Sequence, residues 1–469
     1  MWAPAVFNMS DLKKLSLPQR ITELYLSALF FLLPLYMHNA YFDITEAKVG
    51  CFVLLSGLYV LVMPFAELKA GSESGFSRTQ LCFLAYIVVS IAASLLFMGR
   101  SSLLSATNRY QGVAVLGLYA LSFLFCSRHG SFGRWPRTAA LCALVPVSLY
   151  ALFQSFGFDP MGLWENIQSR ARATFLSTIG NVDFLGAYFA LLLPLCAGVY
   201  CERQNRLVLP LFALASCALL CGSDSGVVGA AAGLWFLYGF VSGEEESHRA
   251  FGLLLAMMGL CVFLSGLAMS RFGLLKTAGM GTLLSAPYVA LPLAAFGLLL
   301  WRKGKALRRP WLPPLSLCAL GAVVLLLSNL FPAYVPSSLQ TVLVFSSHWG
   351  HDRGGIWQYC LELYRSFTPL QKLIGGGSGC LTAYDRSRRI FADAVLDSAH
   401  NEYLQILLTG GALGLGAYVS ALFFALKDGA KKRPAVAAAV FGYAVQAVVN
   451  IAQCATTPLL LMLLAVLCQ

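Results

Sequence analysis

The chain predicts an all-α fold, a polytopic transmembrane helix bundle, and three observations carry that prediction. It is 58% hydrophobic and 12% charged over 469 residues, with a mean hydropathy of +0.72, whereas soluble domains carry about 25% charged residues. Apolar stretches close to the roughly 20 residues that cross a bilayer recur along the whole length. Lys and Arg gather in the polar connections between those stretches, as cytoplasmic loops require. The net charge of +12 is therefore read as membrane topology, and no nucleic-acid partner is expected.

Hydropathy places fourteen helices, at 21–38, 47–66, 80–98, 111–126, 138–157, 181–200, 207–221, 226–241, 251–270, 284–301, 311–331, 402–426, 434–452 and 456–468. The seventh, eighth and last are short, so about 12–14 spans are expected. The chain divides into transmembrane helices 1–11 over 1–331, an extracytoplasmic loop over 332–401 and C-terminal transmembrane helices over 402–469. With the N-terminus inside, segments 127–137, 302–310 and 427–434 face the cytoplasm, and the 33 Lys and Arg divide into 20 inside and 13 outside. Both termini then face the cytoplasm. No cleavable leader is expected, because the first apolar run, Ile21 to Met37, lacks a small-residue cleavage site. Most of the 14 cysteines, Cys51, Cys82, Cys142, Cys217, Cys261 and Cys318 among them, lie in apolar runs as small hydrophobes. Cys360 and Cys380 share the long loop, which leaves a disulfide between them open.

The 70-residue stretch 332–401 is far longer than the other connections, and such loops are more often functional than idle. Within it, RGGIWQYCLELYRSF (353–367) puts Ile356, Trp357, Cys360, Leu361, Tyr364 and Phe367 on one helical face. That period describes a helix lying on the membrane or capping a cavity. GGGSG (375–379) breaks it, and DRSRR (385–389) adds exposed charge.

The candidate chemistry is concentrated where this loop ends, in DSAHNEYLQILLTGGALGLG (397–416). Ser398 or Asp397 is the expected cap of the following helix, with His400 in its first turn. The positive end of the helix dipole disfavours imidazolium, and a neutral histidine suits a general base. Gly410, Gly411, Gly414 and Gly416 give small-xxx-small spacing for close helix packing. Two further polar sites share the outer face: Arg170 and Arg172 before a helix carrying Asn181 and Asp183, and Arg353 in HWGHDRGGIW (348–357). Each residue taken singly also fits an interfacial or solvated role. Together they make a coherent set, cations for a phosphate-bearing group and a base for a hydroxyl. No metal pair of the CxxC type and no nucleotide-binding loop occurs.

From about residue 100 onward the chain resembles the O-antigen ligase and O-antigen polymerase superfamily of bacterial membrane glycosyltransferases. The resemblance rests on NRYQG (108–112, with Arg109), RATFLSTIGNVDFLGAYFALLLPL (172–195), RGGIW (353–357), IGGGSG (374–379) and, above all, HNEYLQILLTGGALGLGAY (400–418). The last is similar to the family's His-Asn-x-Tyr-Leu signature and carries Asn401, Glu402 and Tyr403 beside His400. The resemblance implies an inverting, metal-independent enzyme without a cofactor in the bacterial cytoplasmic (inner) membrane, its active face extracytoplasmic. Its donor would be a glycan on undecaprenyl pyrophosphate and its acceptor a saccharide or other hydroxyl-bearing molecule, with membrane lipids around it. His400 matches the histidine that activates or orients the acceptor hydroxyl. Arg353 matches a pyrophosphate-binding arginine, and Arg172, with Arg170 beside it, is the second cationic candidate. A guanidinium pairs with phosphate bidentately and stays charged.

Two departures bear on this. The family's Ser-Arg pattern opening a middle helix corresponds here to CGSDSGVVG (221–229), with Asp224 in place of the arginine, and GNVD replaces the more usual Gly-Asn-Pro-Asn. Arg170 or Arg172 is then expected to pair with Asp224 or to take over its task. The residues leave ligase and polymerase both open, since the two differ in acceptor. A transporter or flippase of a lipid-linked or anionic solute, and a non-catalytic homologue in an envelope polysaccharide complex, are the alternatives.

Overall fold

The computed structural model describes residues 13–70, 75–104, 109–275, 277, 279–303, 312–336, 340, 343–388 and 396–469, and no strand occurs among them. The first half of the chain forms α1 (Leu17–Leu35), α2 (Ile44–Ala70), α3 (Arg78–Ala93), α4 (Val113–His129), α5 (Arg134–Ser155) and α6 (Val182–Arg203). Next come α7 (Val208–Ala218), α8 (Asp224–Val241), α9 (Glu245–Phe272), α10 (Gly279–Ser285), α11 (Pro287–Lys303) and α12 (Leu312–Leu330). The segment 332–401 contains α13 (Trp349–Ser366), α14 (Pro369–Ile374) and α15 (Cys380–Arg388), and the chain ends with α16 (Glu402–Gly429), α17 (Pro434–Gln446) and α18 (Thr457–Val466). Every helix expected from hydropathy has a counterpart, the tenth being the pair α10–α11 bent by 56°. The first twelve residues, the basic segment 304–310, Asn108 and Arg389, all used in the sequence reading, lie outside the described residues.

Among the described residues seven helices are long and apolar enough to cross a membrane: α2, α3 with its π-helical extension, α5, α6, α8, α9 and α16, or eight if α10–α11 counts as one. The eighth helix, expected to be short, is among them at 18 residues. The shorter apolar helices α4, α7, α17 and α18 fall below that length, and a straight crossing needs roughly 20 residues.

The helix α6 is the core of the bundle. All of its apolar length is buried, so it is hydrophobic all round rather than striped. Glycine seams bring its neighbours to backbone distance: a Cβ on Gly226 of α8 would overlap Gly186 Cα, and one on Gly198 would overlap Ala435 of α17. The helix α12 is equally apolar but presents Leu315, Leu320, Val323, Leu326 and Leu330 outward.

Three local readings are changed or closed. The buried face of α13 is Tyr359, Cys360, Leu363 and Phe367, and Leu361 is 41% exposed. This face packs on Cys380, Leu381, Ala399 and Leu408, so protein rather than a membrane surface covers it. Cys360 and Cys380 lie in that same cluster as free thiols, both pushed up to about 12 by burial. The third change concerns α16, which is not one straight span. Gly411 has φ 64 and ψ −169, a conformation that breaks the helix and that glycine alone adopts freely. Tyr418 donates to Glu402 Oε1 at 2.6 Å, although sixteen residues of straight helix would separate their Cα atoms by about 24 Å. The two halves therefore fold toward each other. The GGGSG loop docks into the break, where Gly376 N and Gly377 N donate to Leu408 O and Thr409 O at 2.8 and 3.1 Å. Carbonyls that lose their helical partners are thus satisfied inside the protein. Gly410 and Gly414 face α3 near Ser90 and Tyr86, while Gly416 meets nothing.

Candidate functional site

The first turns of α6 and α8 form one wall of a cavity of about 570 Å³. Asn181 caps α6, its side chain accepting from Asp183 N at 2.8 Å. Ser223 is the cap residue of α8. Because these helices meet at Gly186 and Gly226, the carboxylates of Asp183 and Asp224 line the same space. Thr174, Cys221, Leu275 and Thr277 add to the lining. Arg353 from α13 and His400 from the turn before α16 complete it.

His400 does not belong to the first turn of α16. The helix cap is Asn401, whose side chain accepts from Leu404 N at 2.9 Å. Neither expected cap serves: Ser398 Oγ accepts from His400 N at 3.3 Å, and Asp397 pairs with Arg109 at 2.9 Å. His400 itself has φ 49, a left-handed conformation that costs a residue with a Cβ about 1–2 kcal/mol. It is held there by the residues that precede it. Ala399 is fully buried against α13, and Arg109 anchors Asp397 three residues upstream. His400 Nδ1 is buried without a hydrogen-bond partner.

The imidazole titrates below its ordinary value of 6.5. Burial is the main cause and Arg353 and Arg109 push the same way, while Asp183 and Asp397 oppose them. A neutral imidazole is the outcome expected from sequence, but burial and two guanidinium groups, rather than a place inside the helix, produce it.

Arg353 is the one guanidinium among the described lining residues, and its NH2 donates to Asp183 Oδ1 at 3.5 Å. Arg172 is turned away, its guanidinium 5.5 Å from the ring centroid of Trp164 and its Nε buried without a partner. Arg170 is exposed and donates to Gln168 Oε1 at 2.9 Å. Neither is placed against Asp224. That carboxylate instead accepts from Met280 N at 2.8 Å and ties the start of α10 to the cavity rim. The acid that replaces the expected arginine is thus a bond to the bent pair α10–α11.

The remaining sequence candidates hold the frame. Glu402 is buried and accepts from Tyr418 and Tyr443 at 2.6 and 3.1 Å. Tyr403 donates to Ala444 O at 2.7 Å and ties α16 to α17. Two residues were not chosen from sequence. Asp183 was noted only as a neighbour of Asn181, yet it is the acid paired with Arg353. Asn450, one of three amides (Gln446, Asn450, Gln453) spaced along an apolar stretch, donates to Asp183 O at 3.0 Å and to Ser225 Oγ at 3.1 Å, holding both acidic first turns together. Its signal was that recurrence of amides among apolar residues. Among the described residues no three His, Cys, Asp or Glu come together in a metal-holding group.

No protein-family model matches the chain, and neither does any curated protein or solved structure.

Proposed function

We propose that this protein is a membrane glycosyltransferase of the O-antigen ligase and polymerase type, moving a glycan from undecaprenyl pyrophosphate to an acceptor hydroxyl on the outer face of the bacterial cytoplasmic membrane. One observation supports it most: His400 and Arg353, far apart in sequence, line a single cavity of about 570 Å³, the size of a small-molecule site. His400 takes the proton of the acceptor hydroxyl, whose oxygen bonds to the anomeric carbon on the face opposite the phosphate. The carbon–phosphate oxygen bond breaks, and its electron pair leaves with the lipid pyrophosphate. Arg353 stabilises the charge that develops there. In this reading twelve to fourteen helices cross or enter the membrane, both termini lie inside, and the segment 332–401 lies outside.

The experiment is glycan transfer in membranes from cells expressing variants. H400A and R353A each lower product by about 10²- to 10⁴-fold at unchanged protein level. Normal product from H400A would sink the reading.

A carrier of lipid-linked or anionic solute is a second reading, favoured by the interrupted helices. The break at Gly411 in α16 and the non-helical stretch between α17 and α18 resemble the discontinuous helices of transporters. Movement of a lipid-linked glycan across liposomes without acceptor would favour it over transfer.

A further inference from the structure

Beyond the two residues of the transfer reading, on which this inference rests, the cavity holds an acid that contacts Arg353 and shares its lining with His400. We propose that Asp183 is a positioning residue that alternates between them, holding Arg353 while the donor is absent and turning to His400 once a phosphate group takes the guanidinium.

Geometry carries this. Asp183 touches Arg353 through one contact of 3.5 Å, beyond the 2.7–2.9 Å of a good charge-assisted bond. Both side chains are about one-fifth exposed, so the pair is partly screened. A phosphate oxygen pair offers the same guanidinium two short bonds at once and displaces the carboxylate. The backbone of Asp183 stays in place during the exchange, because Asn181 accepts its N–H and Asn450 donates to its carbonyl. The change is left to χ1, which moves between staggered wells, and to χ2, whose profile is broad. His400 lines the same cavity, and its Nδ1 is buried without a partner.

Among the described residues, the other charges near His400 have other attachments. Arg353 comes from α13, Arg109 from the segment before α4, Asp397 from its own loop and Asp224 from α8. Asp397 is engaged by Arg109 and Asp224 by Met280 N, which leaves Asp183 as the acid whose present contact is weak enough to exchange. Donor binding then prepares the base: the carboxylate released from Arg353 orients the imidazole and stabilises the imidazolium that forms as the hydroxyl proton arrives.

The test uses the full-length protein in lipid nanodiscs with ¹³C-labelled histidine, H400Q assigning the His400 resonance and inorganic pyrophosphate as the probe. D183N is expected to bind pyrophosphate about threefold to fivefold more tightly, because the competing carboxylate is gone. Pyrophosphate raises the His400 titration midpoint in the wild type, and raises it less in D183N. In transfer assays D183N lowers KM and kcat together, whereas a merely structural loss raises KM. Equal or weaker pyrophosphate binding by D183N, or an equal rise of the midpoint in both proteins, overturns the proposal. D183E serves if D183N does not fold: its longer arm clasps Arg353 more closely and weakens pyrophosphate binding, and unchanged affinity counts against the exchange. The titration and binding arms need neither glycan nor acceptor. A transfer assay in which H400A and R353A stay active would therefore remove the enzymatic reading and leave these arms to be judged separately.

Discussion

On its acidic wall the cavity is bounded by two uninterrupted helices, α6 and α8, whose backbones touch at Gly186 and Gly226. On its basic wall, Arg353 rides on α13, which packs against the turn carrying His400, and that turn leads into a helix broken at Gly411 and repaired by the loop 375–379. Both walls depend on glycine, in opposite ways. At Gly226 the absent side chain permits approach between regular helices. At Gly411 the backbone freedom of glycine permits an irregular one. The acidic wall is therefore set by direct backbone packing and resists change, while the basic wall is assembled from a turn, a loop and a helix end whose relative positions rest on a small apolar cluster and a few hydrogen bonds.

Breaking the acidic wall gives the largest effect on stability. Gly226→Leu drives a side chain into the α6 backbone, where no flexible atom can move aside, and costs about 3 kcal/mol or more. Thermal unfolding in detergent reads this as a large drop in midpoint, and an unchanged midpoint would show that the seam is not tight. Next comes Gly411→Ala. A Cβ there meets Gly375 N and Leu373 O, and positive φ adds about 1–2 kcal/mol. Hydrogen exchange should speed up at the Gly376 and Gly377 amides while the α6 amides keep their protection. Equal loss of protection on both walls would erase the distinction drawn between them.

Smaller again is Asp397→Asn, which opens the partly exposed pair with Arg109 and costs at most about 1 kcal/mol. Its effect should appear in transfer rate more than in unfolding midpoint, because the pair sets the turn that presents His400. The smallest effect is a pH dependence. His400 titrates below 6.5 in the folded protein, so between the folded and unfolded values the unfolded chain binds more protons and stability falls as pH drops. H400Q lacks this term, so the wild type should lose more stability than H400Q on acidification below 6.5 and match its pH trend above it. An identical acid trend in both proteins would place His400 in solvent.

Much of the helical plan was legible because the bilayer tests each segment on length and apolarity, both of which hydropathy measures directly. The residues His400 and Arg353 were legible for a related reason, being costly groups near apolar helices. What hydropathy misjudged was local geometry. Leu361 and Leu363 are equally apolar, and only the position of Cys380 and Leu408 decides which is buried. Ser398, Asp397 and Asn401 are all good caps, and Arg109 removes one of them from the competition across nearly three hundred residues. Arg170 and Arg172 were grouped with Arg353 by charge, a shared outer face and, for Arg172, a matching motif, whereas Arg172 sits against the aromatic ring of Trp164.

By itself the sequence determined an all-helical chain with several membrane-length apolar segments, and it singled out an imidazole and three guanidinium groups, of Arg353, Arg172 and Arg170, as the groups worth following. Hydropathy and helix propensity act residue by residue, so they survive without knowledge of neighbours. Tertiary structure alone decided that α6 is enclosed while the equally greasy α12 faces outward, that α16 is broken, that Asp224 holds α10, and that Asp183 meets Arg353. Those outcomes come from contacts between segments distant in the chain, where close packing selects among arrangements that composition leaves equivalent.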